Sequence, residues 1–402
     1  MGRHWVVAGL FVLSLITYID RAAISSAKEA VGRDLGLDDQ RIGAVFSAFA
    51  LGYALAQVPS GWFADRFGPR LALTSVVVLW SLLTALTGWV GTLGPLLIVR
   101  FLFGAAEAGA FPGSARAFYN WLPAGERGRA NGVIFAGSRL GAAGAFPVMA
   151  WLLSQWDWRT AFYLLAIPGL LWGAIWYALF RDEPAIAPQR DEDRDAGAVG
   201  FGAVFRSRRM LLGMFQYFVV NFTTFLCLSW MLPYLKQRYS LSSADAAFYA
   251  MIPLLVGATA QWFTGFMVDR LYRSERRSWS RRLPAILGFL VSAAGVASLP
   301  LATDVGTATA CFTIAAFGAE MVITPSWAFC MDIGGRKSGA VSGSMNMFGN
   351  LGSFVSANLF PYLQGLTGDA SAYFFTVMTL NLVSAGCWVA MRSVESGSST
   401  KS

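Results

Sequence analysis

"GWFADRFGPR", residues 61–70, lies between two apolar runs, and a related stretch, "GFMVDRLYR", begins at Gly265. The second starts 204 residues after the first in a chain of 402. Three further pairs keep the same order. Glu107 stands five residues before Pro112, and Glu320 five before Pro325. "GRANG" starts at Gly128 and "GRKSG" at Gly335, while Phe146-Pro147 is matched by Phe360-Pro361. Four pairs at offsets of 204–214 indicate two equivalent halves.

The solvent of these halves follows from composition. Hydrophobic residues make up 55% and charged residues 13% of the chain, against about 25% charged in a soluble domain. A transmembrane helix needs about 20 mostly apolar residues, and the run from Leu71 to Leu93 carries no charge. Apolar runs and turn signals predict spans at 5–31, 41–64, 71–92, 95–120, 129–152, 160–180, 211–236, 243–268, 283–302, 306–330, 338–364 and 371–391. The expected fold is all-α: a polytopic membrane protein of twelve transmembrane helices in two pseudo-symmetric six-helix bundles. The first run is too long for a secretory signal and no small-residue cleavage site follows it, so it is expected as the first helix. The predicted organisation is a bundle at 1–182, a cytoplasmic linker at 183–209, a second bundle at 210–393 and a cytoplasmic tail at 394–402.

Basic residues alternate between connections. Arg66, Arg70, Arg127, Arg129, Arg206, Arg208, Arg209, Arg270, Arg273, Arg276, Arg277, Arg281, Arg282, Arg336 and Lys337 fall on one side. The positive-inside rule then places both termini in the cytoplasm and accounts for the net charge of +8 without nucleic acid. One histidine, His4, and four cysteines inside apolar runs give no metal-ligand spacing and no nucleophile beside a base. No G-x-x-x-x-G-K-[ST] occurs. No enzyme, metal or cofactor is expected, and the energy source is expected to be an ion.

Charged residues at membrane depth are the chemical signal. In "LSLITYIDRAAISS", residues 13–26, Asp20 and Arg21 are adjacent. Each costs about 2.5–3.5 kcal/mol to insert, and they sit about 100° apart on a helix, so each needs its own partner. Arg100 and Glu107 lie two turns apart on one face; Arg139 sits in the fifth span and Glu320 in the tenth. These groups either fix helix packing as ion pairs or bind and couple. Guanidinium holds carboxylate bidentately and stays charged, so Arg21 and Arg139 are candidates for a substrate's negative groups. Asp20 and Glu107 are candidate proton carriers, each able to exchange Arg100 or Arg21 for substrate or water, with Glu320 as a weaker candidate. Tyr18 shares a helix face with Arg21, and Tyr53 with Gln57. Asn221, Asn346 and Asn350 offer amides either to a substrate or to another helix. Ser326 and Trp327 follow Pro325, which breaks the tenth span.

The motif Gly61, Asp65, Arg66, Gly68 and Arg70 resembles the best-known signature of the major facilitator superfamily. "YIDRAAIS", "GAAEAGAFPG", "NWLPAGERGRANG", "NFTTFLCLSWMLPYL" and "NMFGNLGS" resemble its anion:cation symporter branch, which includes importers of galactonate, hexuronate, glucarate, tartrate and phthalate. The resemblance implies a monomeric inner-membrane symporter importing an organic anion with protons by alternating access. The anion would be a sugar acid or related carboxylate. It implies that Arg21 contacts the carboxylate, that tyrosines at matching places line the pocket, and that Asp20, Glu107 and Arg100 couple protons. Gly61, Asp65, Arg66 and Arg70, with Asp269 and Arg270 in the second half, are assigned to gating. Phe222 and Phe225 stand where the branch often has tyrosines, which favours an aromatic or phthalate-type acid as the alternative. Organic anion exchange and a non-transporting membrane sensor are the other readings.

Overall fold

The computed structural model describes residues 2–183 and 207–391. Most of the expected linker and all of the expected tail lie outside the described residues. Among the described residues there is no strand, and nine helical stretches are long and apolar enough to cross a membrane. Two of these, Gln40–Trp89 with 50 residues and Val305–Thr367 with 63, are at least twice as long as one pass needs. Counting these twice and adding the interrupted helix at 208–239 accounts for twelve passes.

The described residues form two compact units. One comprises 2–123, 133–183 and 334–344; the other comprises 124–132, 207–333 and 345–391. The first contains α1 (Arg3–Ser26), α2 (Lys28–Leu35), α3 (Asp39–Trp89), α4 (Leu93–Glu107), α5 (Ala110–Trp121), most of α6 (Arg127–Gln155) and α7 (Trp158–Leu179). The second is built from α8 (Arg208–Phe225), α9 (Met231–Tyr239), α10 (Ser243–Arg273), α11 (Arg282–Ser298), α12 (Val305–Gly334), most of α13 (Ser338–Thr367) and α14 (Ser371–Ala390).

Local sequence explains the irregularities. Gly68 has φ +83° and bends α3 between its two passes, and Pro69 opens the second of them. A side chain at Gly68 would also collide with the Asp182 carboxylate, which accepts the Arg70 N–H at 2.7 Å. Pro112 cannot donate to the Ala108 carbonyl, and α4 accordingly ends at Glu107. Pro233 has the same effect on the seventh pass, where a π segment, Leu226–Trp230, separates α8 from α9.

Close helix approach rests on small residues. A Cβ at Gly52 would strike the Phe101 carbonyl, and one at Gly104 the Phe49 carbonyl, so α3 and α4 touch backbone to backbone. In the second unit Gly288 and Gly318 do the same for α11 and α12. Phe222 is buried there, its ring 5.5 Å from Tyr373. That residue therefore packs a core, and its apolar character carries no weight for substrate type.

The glycine contact generates a prediction. Gly104→Val forces α4 away from α3 and should destabilise the first unit by about 3 kcal/mol or more, above the usual 1–3 kcal/mol for overpacking. Gly144→Val, at a position with open space around it, is the control. Thermal unfolding of the two purified variants in detergent is the measurement.

Candidate functional site

The first unit gathers four ionisable residues from α1 and α4. Arg21 donates from Nε to Glu107 Oε1 at 2.8 Å, and a second guanidinium nitrogen donates to the same oxygen. The Glu107 side chain has no solvent exposure, and that of Arg21 keeps 24%. Three rings surround the guanidinium. Its carbon lies 4.6 Å from the Tyr18 centroid, 4.7 Å from Tyr53 and 5.3 Å from Phe49. Cation–π attraction of this kind holds the cation where water is scarce.

Asp20, one residue earlier, turns the other way. It is buried, and Oδ2 accepts the Trp80 indole N–H at 3.1 Å. Arg100 is also buried and stacks 4.4 Å from Phe103 and 5.3 Å from Phe49. It lies within electrostatic range of both Asp20 and Glu107. Glu107 takes Arg21, not Arg100, as its hydrogen-bonded partner among the described residues. Three atoms, Asp20 Oδ1, Glu107 Oε2 and Arg100 Nε, are buried without a hydrogen bond. Two guanidinium groups and two carboxyls thus form a quartet with spare hydrogen-bonding capacity. Gln57, one turn beyond Tyr53 on α3, is buried in the same unit, and Arg139 is half-buried on α6.

Around Glu320 and Trp327 the second unit carries amides and hydroxyls instead. Glu320 is buried and accepts from Gln261 Nε2 at 2.6 Å, while Thr324 donates to Gln261 Oε1 at 2.9 Å. Trp327 donates its indole N–H to the Tyr217 hydroxyl at 2.8 Å, and Ser326 donates to Gln216 Oε1 at 3.2 Å. Asn221 and Asn350 each donate to a carbonyl one turn back on their own helix, Tyr217 at 3.1 Å and Asn346 at 2.9 Å. Their oxygens remain oriented by these bonds.

The repeated motif builds the same device in each unit. Asp65 accepts the N–H groups of Gly339 at 2.8 Å and Ala340 at 2.7 Å, at the start of α13. Asp269 accepts those of Gly128 at 2.9 Å and Arg129 at 3.0 Å, at the start of α6, and the Arg129 Nε at 3.0 Å. Each carboxylate meets the positive end of a helix and its unsatisfied donors. A Cβ at Gly61 or Gly339 would strike the other's carbonyl, and Gly128 and Gly265 are equally close. Arg70 binds the Tyr177 carbonyl at 2.8 Å, Arg66 stacks near Trp62 and Phe67, and Arg270 is exposed.

Sequence reasoning did not find Phe49, Trp80, Phe103 or Gln261. Phe49 precedes Tyr53 by four residues and shares its face, a signal that was available. Trp80 meets Asp20 across 60 residues of chain, and nothing local in "SVVVLWSLL" marks it.

Twelve passes among the described residues, in two units, with a quartet of guanidinium and carboxyl groups gathered at membrane depth in the first, define a polytopic membrane carrier. Residues 10–357 match the Major Facilitator Superfamily, and the chain belongs to that family. It is 31% identical to the "Probable sulfoacetate transporter SauU" of Cupriavidus necator, across 91% of this chain and 88% of that one. It is 30% identical to the "Probable galactarate/D-glucarate transporter GudP" of Bacillus subtilis, across 91% and 87%. The fold is similar to that of the proton:xylose symporter XylE, with a TM-score of 0.76 at 16% identity, covering 97% of this chain and 95% of that one.

The quartet predicts strong energetic coupling. Arg21→Met or Glu107→Leu alone strands a charge and should destabilise the chain by about 3 kcal/mol. The double variant should cost less than the two single costs added together, by about 2 kcal/mol or more. Unfolding of the four proteins in detergent closes the cycle.

Proposed function

We propose that the chain is a proton-coupled symporter that imports a small organic anion by alternating access, with both termini in the cytoplasm of a cell whose inner membrane it spans. The carrying observation is the Arg21–Glu107 pair inside its ring of Tyr18, Phe49 and Tyr53. An arginine intended only for packing would have its acid and no further requirement. This one remains a quarter exposed and aromatic-lined, a setting that suits exchange of one anionic partner for another.

The chemistry follows from charge balance. With both acids ionised, the quartet is neutral. A substrate carboxylate or sulfonate that takes Arg21 releases Glu107 into a site with no solvent exposure. A carboxylate left there unpaired is costly, and protonation removes the cost. Anion binding therefore favours uptake of at least one proton. Asp20 beside Trp80 supplies a second carboxyl, Arg100 is the fixed positive charge near both acids, and the bound anion offsets the charge that protonation of either acid adds. Arg139 is the proposed second anion contact, and Gln57, Asn221, Ser326, Trp327, Asn346 and Asn350 the contacts for the remainder of the substrate. Glu320 is retained as a secondary coupling residue. Asp65 and Asp269, with Gly61, Arg66, Arg70 and Arg270, are proposed to gate by holding and releasing helix ends. The carrier is proposed to work as a monomer.

The names of the relatives narrow the substrate. They combine sugar acids with a short carboxylate that also carries a sulfonate. A sugar acid or related carboxylate is the principal reading.

Proteoliposomes provide the test, with D-glucarate and sulfoacetate as probes. Uptake should exceed the equilibrium level under an inward proton gradient and fall to it with a protonophore. Arg21→Ala should lower uptake and binding at least about 100-fold, as expected for loss of a charge-assisted bidentate contact. Glu107→Gln should retain exchange of internal for external substrate and lose accumulation. Continued accumulation by that variant would overturn the coupling role.

A further inference from the structure

A second cationic feature lies beyond the quartet, at the end of the first pass. The helical hydrogen-bond ladder runs from α1 into α2 almost unbroken. Ala27 N–H donates to Ala23, and Val31 N–H donates to the Ala27 carbonyl, both at 3.0 Å. Lys28 therefore stands two turns beyond Arg21 on the same face, about 10 Å along the axis. There Lys28, Glu29, Gly32 and Arg33, with Leu37 and Ile42, line a cavity of about 470 Å³.

Helix α2 is built to present that face. At 100° per residue, Lys28, Gly32, Glu29 and Arg33 occupy one arc of about 140°. Val31 and Asp34 occupy the opposite side. Val31 is buried, and Asp34 Oδ2 accepts from the Trp158 indole at 3.1 Å and from Arg159 at 2.9 Å. Arg159 in turn donates to the Gly88 and Val90 carbonyls at 3.0 and 2.6 Å. The far end is closed by Gly36 at φ +63°, with Leu37 N–H donating to the Gly32 carbonyl at 2.8 Å. An eight-residue helix has little stability of its own. Anchoring one side this firmly leaves the other side fixed as a wall.

We propose that this wall is a vestibular anion station. Lys28 and Arg33 hold an incoming organic anion loosely, as a waiting position two turns from Arg21, and Glu29 limits how tightly it is held. The chemistry recognised is a carboxylate or sulfonate in a hydrated, partly open cavity, where a net positive lining raises local anion concentration. The station rests on the anion-import reading for its role. Its electrostatics can be measured without any transported substrate.

Two readouts separate the two ideas. In Leu37→Cys, with the parent chain as background for its native cysteines, anionic sulfonatoethyl methanethiosulfonate should react faster than its cationic trimethylammonium counterpart. The ratio is taken relative to a free thiol. Adding Lys28→Gln and Arg33→Gln should lower it about 3- to 10-fold, and Glu29→Gln should raise it. A ratio equal to that of the free thiol, or one unmoved by these variants, would overturn the station even if uptake is normal. In uptake of D-glucarate or sulfoacetate at low salt, Lys28→Gln/Arg33→Gln should raise apparent KM about 3- to 10-fold at unchanged maximal rate. Glu29→Gln should lower it, and both effects should disappear at about 0.5 M salt. A fall in maximal rate at unchanged KM would assign the residues to a conformational step and reject the station. Loss of all uptake in the parent protein, with the reagent ratio as expected, would reject the import reading and leave the station standing.

Discussion

An ionisable group inside a bilayer needs a partner of opposite charge or a hydrogen bond, and this requirement organises the first unit. Asp20 and Arg21 are consecutive on α1 and diverge by about 100°, so one helix is tied in two directions. Asp20 reaches Trp80 on α3 and Arg21 reaches Glu107 on α4. The contact between α3 and α4 at Gly52 and Gly104 brings Phe49, Tyr53, Arg100 and Glu107 into one locality. Small residues thus position the charges, and the charges specify how the helices that carry them must face.

The two units use one plan with different chemistry. Each has an aspartate capping a helix start beside a glycine pair, and each has a glutamate five residues ahead of a proline. In the first unit that glutamate meets a guanidinium; in the second, Glu320 meets the Gln261 amide. An amide donates without carrying charge. In the proposed cycle the first unit attracts the anion and carries the principal proton exchange, and Glu320, held by a neutral amide, is the secondary coupling group of the second. Capping is shared because both units need helix ends satisfied. Charge is placed differently: the guanidinium groups of the second unit pair apart from Glu320, Arg127 and Arg281 with Asp332 and Arg129 with Asp269.

Much of this was readable from residue order, for identifiable reasons. Span positions follow from the cost of burying polar backbone and side chains in lipid, which every residue of a span must obey. The halves were visible because Gly61, Asp65, Glu107 and Pro112 have counterparts at fixed spacing. The divergence of Asp20 and Arg21 followed from helix geometry alone. Their partners did not, because a contact such as Asp20 to Trp80 depends on how helices pack, and packing is not a local property. Ser326 and Trp327 illustrate the same limit. Their polar atoms are plain in the sequence, yet Gln216 and Tyr217, which receive those hydrogen bonds, lie 110 residues away. Phe222 is the clearest case, since its apolar type weighed on the choice of substrate and its stacking on Tyr373 makes it core.

Coupling in the proposed cycle needs no dedicated relay, because one guanidinium serves two competing anions. When the substrate occupies Arg21, Glu107 is stable only with a proton; when the substrate leaves, Glu107 regains Arg21 and the proton is released. Each event makes the other easier, as reciprocity of linked binding requires. One proton with a monoanion moves no net charge, so the pH gradient alone would drive it. If Asp20 takes a second proton in the same turnover, one positive charge moves inward with a monoanion, where a potential of 100 mV adds about 2.3 kcal/mol, and none with a dianion such as glucarate or sulfoacetate. The Trp80 indole bears on that choice. Its N–H can donate to Asp20 whether the acid is ionised or neutral, but it satisfies only Oδ2 and leaves Oδ1 bare. A bare buried oxygen is tolerated far better as a hydroxyl than as a carboxylate, so Asp20 carries a second proton in the proposed cycle only if its surroundings change between the two states, since an acid that stays neutral throughout carries none.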